Sequence, residues 1–230
     1  MSADPSWPIR SRRSVTVDDE RLAQRCAFGR VIIIDDDAQI VAALGALLDL
    51  EGYAVETYTS ALTYLQILNS GKPQFAGPSC VLCDVKMPGV DGLEFQRRLA
   101  ELARIPLLLI SGDSGVQESI TGFRSGALNF LIKPIEVDLL LAAVAEALAV
   151  STERQQFDAE HSDIARRIAC LSERQREVAR HVARGSTNQD IADQLGIVLR
   201  TVKLHRLLAL KKLGVDTVAD LVRLAERGGL

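Results

Sequence analysis

Short apolar runs that end in polar residues constrain the fold of this chain more than any other feature. The runs are Val31–Ile34, Val81–Cys83, Pro106–Ile110 and Leu128–Ile132. Runs of this length without polar alternation are typical of strands buried on both faces, as in a parallel sheet. A further strand is predicted at Tyr53–Thr59, where apolar and polar residues alternate. Helical spacing between the runs predicts alternating strands and helices, with helices on both faces of one sheet.

The polar residues that follow these runs are expected to meet, because the carboxyl ends of parallel strands share one edge of the sheet. They are Asp35, Asp36, Asp84, Ser111 and Lys133. Neighbouring carboxylates repel one another, and Mg²⁺ resolves that repulsion when carboxylates and phosphate oxygens surround it. We therefore expect a Mg²⁺ site, with Asp84 as a nucleophile toward phosphorus. Ser111 and Lys133 would then neutralise the phosphoryl oxygens.

The charge of the chain is distributed unevenly. Residues 31–134 carry seven basic and twelve acidic side chains, whereas residues 171–230 carry eleven basic and seven acidic side chains. The two stretches have formal charges of -5 and +4 within a chain whose net charge is -3. This asymmetry is expected when only the C-terminal part binds a polyanion.

The four cysteines are expected to be free thiols, and Cys80 and Cys83 are expected to pack in the core. Cys80 and Cys83 form a C-x-x-C pattern, but residues three apart in a strand point to opposite faces, so their sulfurs cannot meet. No segment approaches the roughly 18 apolar residues of a membrane span. The N-terminus also lacks the apolar core of a signal peptide. The sequence therefore predicts a cytoplasmic protein without a membrane partner.

The chain divides into four predicted segments. Residues 1–29 show no periodicity and mix charges with Pro and Ser, which predicts a disordered extension. Residues 30–150 contain the alternating strands and helices, including a helix predicted at Val116–Arg124. Residues 151–170 are polar with helical spacing, which indicates a helical linker. Residues 171–230 are predicted to be a small all-α domain.

The last segment has the pattern of a helix-turn-helix. Ser172–Gln175 is a capping-box pattern before its first helix. A short helix, Asn188–Leu195, is closed by Gly196 and followed by the basic helix Leu199–Leu213. Two short helices joined by a tight glycine turn, the second of them basic, are typical of this DNA-binding motif.

These motifs resemble two known families. The first part of the chain resembles the receiver domain of bacterial response regulators, and residues 171–227 resemble the LuxR/FixJ-type DNA-binding domain. The receiver motifs are Ile-Ile-Ile-Asp35-Asp36-Asp37, Cys83-Asp84-Val-Lys-Met-Pro-Gly-Val-Asp-Gly92, Ile110-Ser111-Gly112 and Asn129-Phe130-Leu-Ile-Lys133-Pro134. The DNA-binding motifs are Leu171-Ser-Glu-Arg-Gln-Arg-Glu-Val178, Asn188-Gln-Asp-Ile-Ala192 and Arg200-Thr-Val-Lys-Leu-His-Arg206. The resemblance implies an α/β receiver with a five-stranded parallel sheet in the flavodoxin-like order 2-1-3-4-5.

The resemblance also implies roles for the residues at the sheet edge. Asp84 would take phosphate from a histidine of a sensor kinase. Asp36 would be a direct Mg²⁺ ligand, Asp35 would act through the metal's water shell, and the backbone carbonyl of Lys86 would complete the site. Ser111 and Phe130 correspond to the switch pair of receivers, with Phe130 in place of the more frequent Tyr. Lys133-Pro134 would carry a cis peptide bond.

In the DNA-binding domain, the resemblance places the helix Leu199–Leu213 in the major groove. Helical periodicity directs Val202, Leu208 and Leu213 toward the domain core. The residues expected to contact DNA are Asn188, Arg200, Thr201, Lys203, Leu204, His205, Arg206 and Leu207. Val198 replaces the Ser or Thr that usually caps this helix, so the helix start lacks a side-chain acceptor.

Together these features predict a phosphorylation-dependent transcriptional regulator of a two-component system. It would not be an enzyme, apart from transferring phosphate onto its own Asp84. Its expected partners are a sensor histidine kinase, double-stranded DNA, RNA polymerase and, when phosphorylated, a second copy of the chain. The alternative is an atypical regulator that binds DNA independently of phosphate. A phosphatase of the haloacid dehalogenase type is excluded, because Lys86 stands where that chemistry needs a second Asp.

Overall fold

The computed structural model describes residues 28–70, 76–112 and 126–230. It has two compact units that divide between Glu153 and Arg154. The predicted helix Val116–Arg124 and all but the last two residues of the predicted extension 1–29 lie outside the described residues. Within the described ranges, we find no helix long and apolar enough to span a membrane.

The first unit is built on a five-stranded parallel sheet. The strands are β1 (Arg30–Ile34), β2 (Ala54–Tyr58), β3 (Ser79–Asp84), β4 (Leu107–Ser111) and β5 (Asn129–Ile132). They lie in the order β2-β1-β3-β4-β5, which confirms the predicted topology. Every residue of β3 and β4 is buried, as expected for strands covered by helices on both faces.

Helix α1 (Ala38–Leu50) connects β1 to β2, α2 (Ala61–Asn69) connects β2 to β3, and α3 (Gly92–Leu102) connects β3 to β4. Two hydrophobic clusters lie on the two faces of the sheet. Cys80 belongs to one cluster and Cys83 to the other, as the period of a strand requires. Burial raises the pKa of the Cys80 thiol to about 12, so this sulfur is a packing group and not a nucleophile.

A single helix, α4 (Val137–Ala169), includes the region interpreted as a linker. Its N-terminal half is buried in the first unit through Leu140, Ala143 and Ala147. The backbone N–H of Ser79 donates to the hydroxyl of Ser151 at 3.0 Å, which ties the helix to the start of β3. Residues 152–160 are all exposed, and most of them are polar, so this stretch of the helix depends on intrahelical bonds and not on a core.

The second unit contains the C-terminal turns of α4 and four further helices. These are α5 (Glu173–Ala183), α6 (Asn188–Leu195), α7 (Leu199–Leu213) and α8 (Val218–Gly228). Ser172 and Gln175 form the predicted capping box at the start of α5. Gly196 adopts the left-handed conformation at φ 63° between α6 and α7, which only glycine adopts without strain. The unit thus has the tight turn of a helix-turn-helix.

Candidate functional site

Three predicted site residues meet at the carboxyl edge of the sheet. Lys133 Nζ donates to Asp35 Oδ2 at 2.7 Å and to Asp84 Oδ1 at 2.6 Å. Asp35 and Asp84 are 1% and 5% exposed. Two buried carboxylates would repel one another strongly, so one ammonium between them neutralises part of that charge. The edge therefore joins β1, β3 and the segment after β5 through one cation.

Burial by itself lowers the pKa of Lys133, but the hydrogen bonds to Asp35 and Asp84 raise it, and the net shift is upward from the usual 10.5. Lys133 is therefore an ammonium at neutral pH. It can donate to the carboxylates or to another anion, and it cannot act as a general base.

Backbone groups hold the two carboxylates in place. The N–H of Lys86 donates to Asp84 Oδ2 at 2.7 Å, and the N–H of Asp37 donates to Asp35 Oδ1 at 2.9 Å. Asp37 also caps α1 by accepting from Gln39 N at 2.8 Å. The loops after β1 and β3 thus orient the side chains that precede them.

Gly92 packs directly against the backbone of the loop that follows β3. Its N–H donates to the carbonyl of Val85 at 2.9 Å. A Cβ at this position would lie 2.5 Å from the carbonyl oxygen of Asp84 and 2.8 Å from Val85 Cα. Both are backbone atoms that cannot move aside without shifting Asp84 itself. The sequence motif contains Gly92, but its contact with Asp84 becomes visible only in the structure.

Asp36 differs from the prediction of three carboxylates in close contact. Its side chain is exposed and lines an open pocket of about 520 Å³ with Val85, Lys86, Pro88 and Asp91. The chain bends at Asp36 after it leaves β1, so the Asp36 side chain is exposed whereas Asp35 is buried. Within the described ranges, no three His, Cys, Asp or Glu side chains lie close enough together to hold a metal ion.

The donor chemistry nevertheless fits a hard divalent cation. Each oxygen of Asp84 accepts one hydrogen bond in the structure, and a carboxylate oxygen has a second lone pair. Asp35, Asp36, Asp84 and Lys133 together carry a formal charge of -2, which one divalent ion balances. Carboxylate and carbonyl oxygens are the ligands that Mg²⁺ prefers.

The two predicted switch residues lie in the neighbouring strands β4 and β5. Ser111 is the last residue of β4 and is 1% exposed, and its carbonyl accepts from the N–H of Lys133 at 2.8 Å. Phe130 is half-buried in β5 and packs against one of the two clusters. The peptide bond between Lys133 and Pro134 is cis, as predicted.

In the second unit, the exposed side of α7 presents a mixed basic and apolar surface. Arg200 and Lys203 are exposed, together with Leu204 and Leu207 at 52% and 64%. The opposite side is buried through Val202, Ala209 and Leu213. Leu208, which was predicted to face the core, is only half-buried, because Ala209 occupies the buried position next to it.

The remaining predicted DNA contacts lie at the margin of this surface. Thr201, His205 and Arg206 are half-buried. Arg206 donates to Asn188 Oδ1 at 2.9 Å, which joins α7 to the first turn of α6. Val198 precedes α7 without a side-chain cap and is 70% exposed. The structure thus holds Arg206 in position through a residue that was predicted to bind DNA itself.

Several basic residues of the second unit have a structural role that counting the charges of the sequence did not reveal. Arg174 donates to the carbonyl of Leu195, and Arg176 donates to that of Ile168. Lys212 donates to the carbonyl of Cys170 at 3.0 Å. These are carbonyls at helix ends, which lack intrahelical partners and favour cations. Only part of the positive charge of this unit is therefore available to a polyanion.

Comparisons with known families agree with this architecture. Residues 31–145 match the response regulator receiver domain, and residues 169–225 match the luxR family of bacterial regulatory proteins. The chain is 34% identical over 203 residues to the transcriptional regulatory protein FixJ of Bradyrhizobium diazoefficiens, covering 88% of this chain and 97% of FixJ. It is 33% identical to the response regulator protein TodT of Pseudomonas putida, covering 86% of this chain and 85% of TodT.

Solved structures show the same relationship. The response regulator StyR superposes with a TM-score of 0.77 at 32% identity, covering 86% of this chain and 98% of StyR. Full-length FixJ superposes with a TM-score of 0.52 at 35% identity, covering 87% and 97% of the two chains. The chain therefore belongs to the response regulators that combine a receiver domain with a LuxR-type DNA-binding domain, and it is a phosphorylation-dependent transcriptional regulator of a two-component system.

Proposed function

We propose that Asp84 is the residue that receives the phosphoryl group. The observation that carries this proposal is the position of Lys133, which contacts both Asp84 and Asp35 at the carboxyl edge of the sheet. An oxygen of the Asp84 carboxylate attacks phosphorus, and an acyl phosphate bond forms. The bond to the donor breaks, and its electron pair leaves with the imidazole nitrogen of a sensor kinase histidine. The chain thus transfers phosphate only onto itself.

The other residues of the edge hold the transferred group. The Lys133 ammonium lies 2.6 Å from Asp84, so it can transfer its hydrogen bond from the carboxylate to an oxygen of the new phosphoryl group. The Ser111 hydroxyl is placed at the end of the adjacent strand and would donate to another oxygen. Asp36, Asp84 and the Lys86 carbonyl would hold Mg²⁺, with Asp35 reaching it through water. The ion, when bound, neutralises charge on a phosphoryl oxygen.

Asp84→Asn is expected to abolish phosphorylation. Incubating the full chain with acetyl phosphate and Mg²⁺ should add one phosphoryl group, detected as a mass shift of the intact protein. The matched control is Asp37→Asn, because Asp37 belongs to the same acidic run but caps α1, and asparagine also caps helices. This control should still be phosphorylated. An adduct on Asp84→Asn, or none on the unmodified sequence, would contradict the assignment.

We further propose that α7 enters the major groove and that Lys203 contacts a base. Lys203 lies on the exposed side of α7, and its ammonium can donate to guanine O6 and N7. Asn188 holds Arg206 at the margin of the exposed side of α7. We therefore expect Arg206 to contact a DNA phosphate and not a base. Phosphorylation would favour pairing of two chains, so that two DNA-binding domains act on two half-sites, and RNA polymerase would be the downstream partner.

Lys203→Ala is expected to weaken binding to the cognate site by about 1–3 kcal/mol and to relax its base preference. Arg206→Ala should weaken cognate and scrambled duplexes alike and flatten the salt dependence, since a phosphate contact carries no sequence information. Titrations of both duplexes at several salt concentrations separate the two roles. Equal losses on both duplexes for Lys203→Ala would make Lys203 a phosphate contact.

A further inference from the structure

The centre of the exposed side of α7 is apolar. Arg200, Leu204, Leu207 and Lys211 are spaced at i, i+4, i+7 and i+11, which places them in one line along a helix. All four are exposed, and the two leucines are 52% and 64% exposed. A cation therefore lies at each end of the line and two leucines lie in its middle.

Packing within the unit does not explain these leucines. The hydrophobic cluster of the second unit takes its α7 members from the other side of the helix, at Val202, Ala209 and Leu213, and Leu210 packs against its edge. Neighbouring exposed leucines expose apolar area that gains free energy only when a partner covers it. The flanking cations indicate that this partner is a polyanion.

The major groove of DNA has one apolar feature, the C5-methyl group of thymine. We propose that Leu204 and Leu207 select thymine at two neighbouring positions through these methyl groups. The inference rests on the proposed function, in which α7 enters the major groove. Leucine has no donor or acceptor, so it cannot recognise a base by hydrogen bonds, and Arg200 and Lys211 are left to bind phosphates on either side.

The spacing of the two leucines suits adjacent base pairs. Three residues advance about 4.5 Å along a helix axis, and successive bases of one strand are about 3.4 Å apart. Leu204 and Leu207 can therefore each cover one methyl group of a pair of neighbouring thymines. The selected site should contain this pair in each half.

The test uses DNA in which only methyl groups are removed. A duplex is first selected from a random pool with the phosphorylated full chain, and each thymine is then replaced singly by deoxyuridine. Deoxyuridine keeps the hydrogen-bonding edge of thymine and lacks the methyl group. Two replacements in each half-site are expected to weaken binding about fourfold each, the factor for one buried methyl group.

The variants assign each methyl group to a leucine. Leu207→Ala should bind the thymine duplex more weakly and become insensitive to deoxyuridine at one position, and Leu204→Ala should do so at the neighbouring position. Lys203→Ala should keep both sensitivities. Leu62→Ala, which truncates a 45% exposed leucine in α2 of the receiver, should match the unmodified chain throughout.

The outcomes separate this inference from the proposed function. If the chain selects a duplex whose affinity does not change with deoxyuridine, the thymine inference fails and DNA binding stands. If Lys203→Ala and Arg206→Ala leave the affinity for the selected duplex unchanged, the proposed function of α7 fails instead. If Leu204→Ala and Leu207→Ala lower self-association without DNA and deoxyuridine has no effect, the surface binds protein and the inference is overturned.

Discussion

Replacing Lys133 with Met is expected to lower the free energy of unfolding of the receiver unit by about 3 kcal/mol at neutral pH. The side chain of Lys133 is 24% exposed, whereas those of Asp35 and Asp84 are 2% and 7% exposed. Removing the cation leaves two buried carboxylates without a counter-charge, and this penalty is larger than the loss of an exposed ion pair. Met keeps most of the side-chain volume, so the loss is electrostatic.

A second substitution tests this explanation. Asp84→Asn in the Lys133→Met background removes one of the two repelling charges, so it should recover a large part of the lost stability. Non-additivity of this size is expected for residues in direct contact. If Asp84→Asn destabilises the Lys133→Met variant further, charge repulsion is not the cause of the loss.

The pH dependence has a definite sign. The pKa of Lys133 is raised in the folded state above its usual 10.5, so its ion pairs contribute their full stability below the unfolded pKa. That contribution is lost as the pH rises through the higher folded-state pKa. The difference between the unmodified chain and Lys133→Met should therefore be level from about pH 7 to about pH 9 and shrink only above about pH 10.5.

Urea unfolding of the full chain can report on the receiver unit alone. All three tyrosines, Tyr53, Tyr58 and Tyr64, lie in the first unit, so near-UV circular dichroism of tyrosine follows that unit. The matched control is Arg98→Met, which removes a cation from the surface pair that Arg98 makes with Glu94 at 2.7 Å. An exposed helix pair of this kind contributes about 0.3–0.5 kcal/mol, so this variant should unfold close to the unmodified chain.

The contacts of Lys133 show how far the sequence determines the site. Each predicted strand ends in a polar residue, and parallel strands bring those residues to one edge, so the meeting of Asp35, Asp84 and Lys133 was predictable. The outward direction of Asp36 was not, because it depends on how the chain leaves β1. The hydrogen bonds from basic side chains to helix-end carbonyls in the second unit, such as that from Arg174 to Leu195, were not predictable either. They depend on distances between residues far apart in the sequence, which a count of charges does not include.

The second large effect is expected at Gly92, which has no chemical group to contribute to the site. Gly92→Ala should lower the free energy of unfolding by about 1–3 kcal/mol, the cost of overpacking. It should also slow phosphorylation by acetyl phosphate by at least tenfold. The added Cβ would lie 2.5 Å from the Asp84 carbonyl oxygen and 2.8 Å from Val85 Cα, so the backbone that carries Asp84 must move.

Gly112 provides the matched control, because it follows Ser111 at the same edge of the sheet. Among the residues that the structure describes, a Cβ at Gly112 meets no atom within 4 Å, so Gly112→Ala should keep the stability and the phosphorylation rate of the unmodified chain. Both variants add one methyl group beside the site, and among the described residues only the methyl group at position 92 meets backbone atoms. Urea unfolding and the rate of mass increase with acetyl phosphate measure the two effects. Equal rates for Gly92→Ala and Gly112→Ala would mean that the loop after β3 can shift without moving the Asp84 carboxylate. The sensitivity of phosphorylation to Gly92 therefore measures how rigidly the backbone positions Asp84.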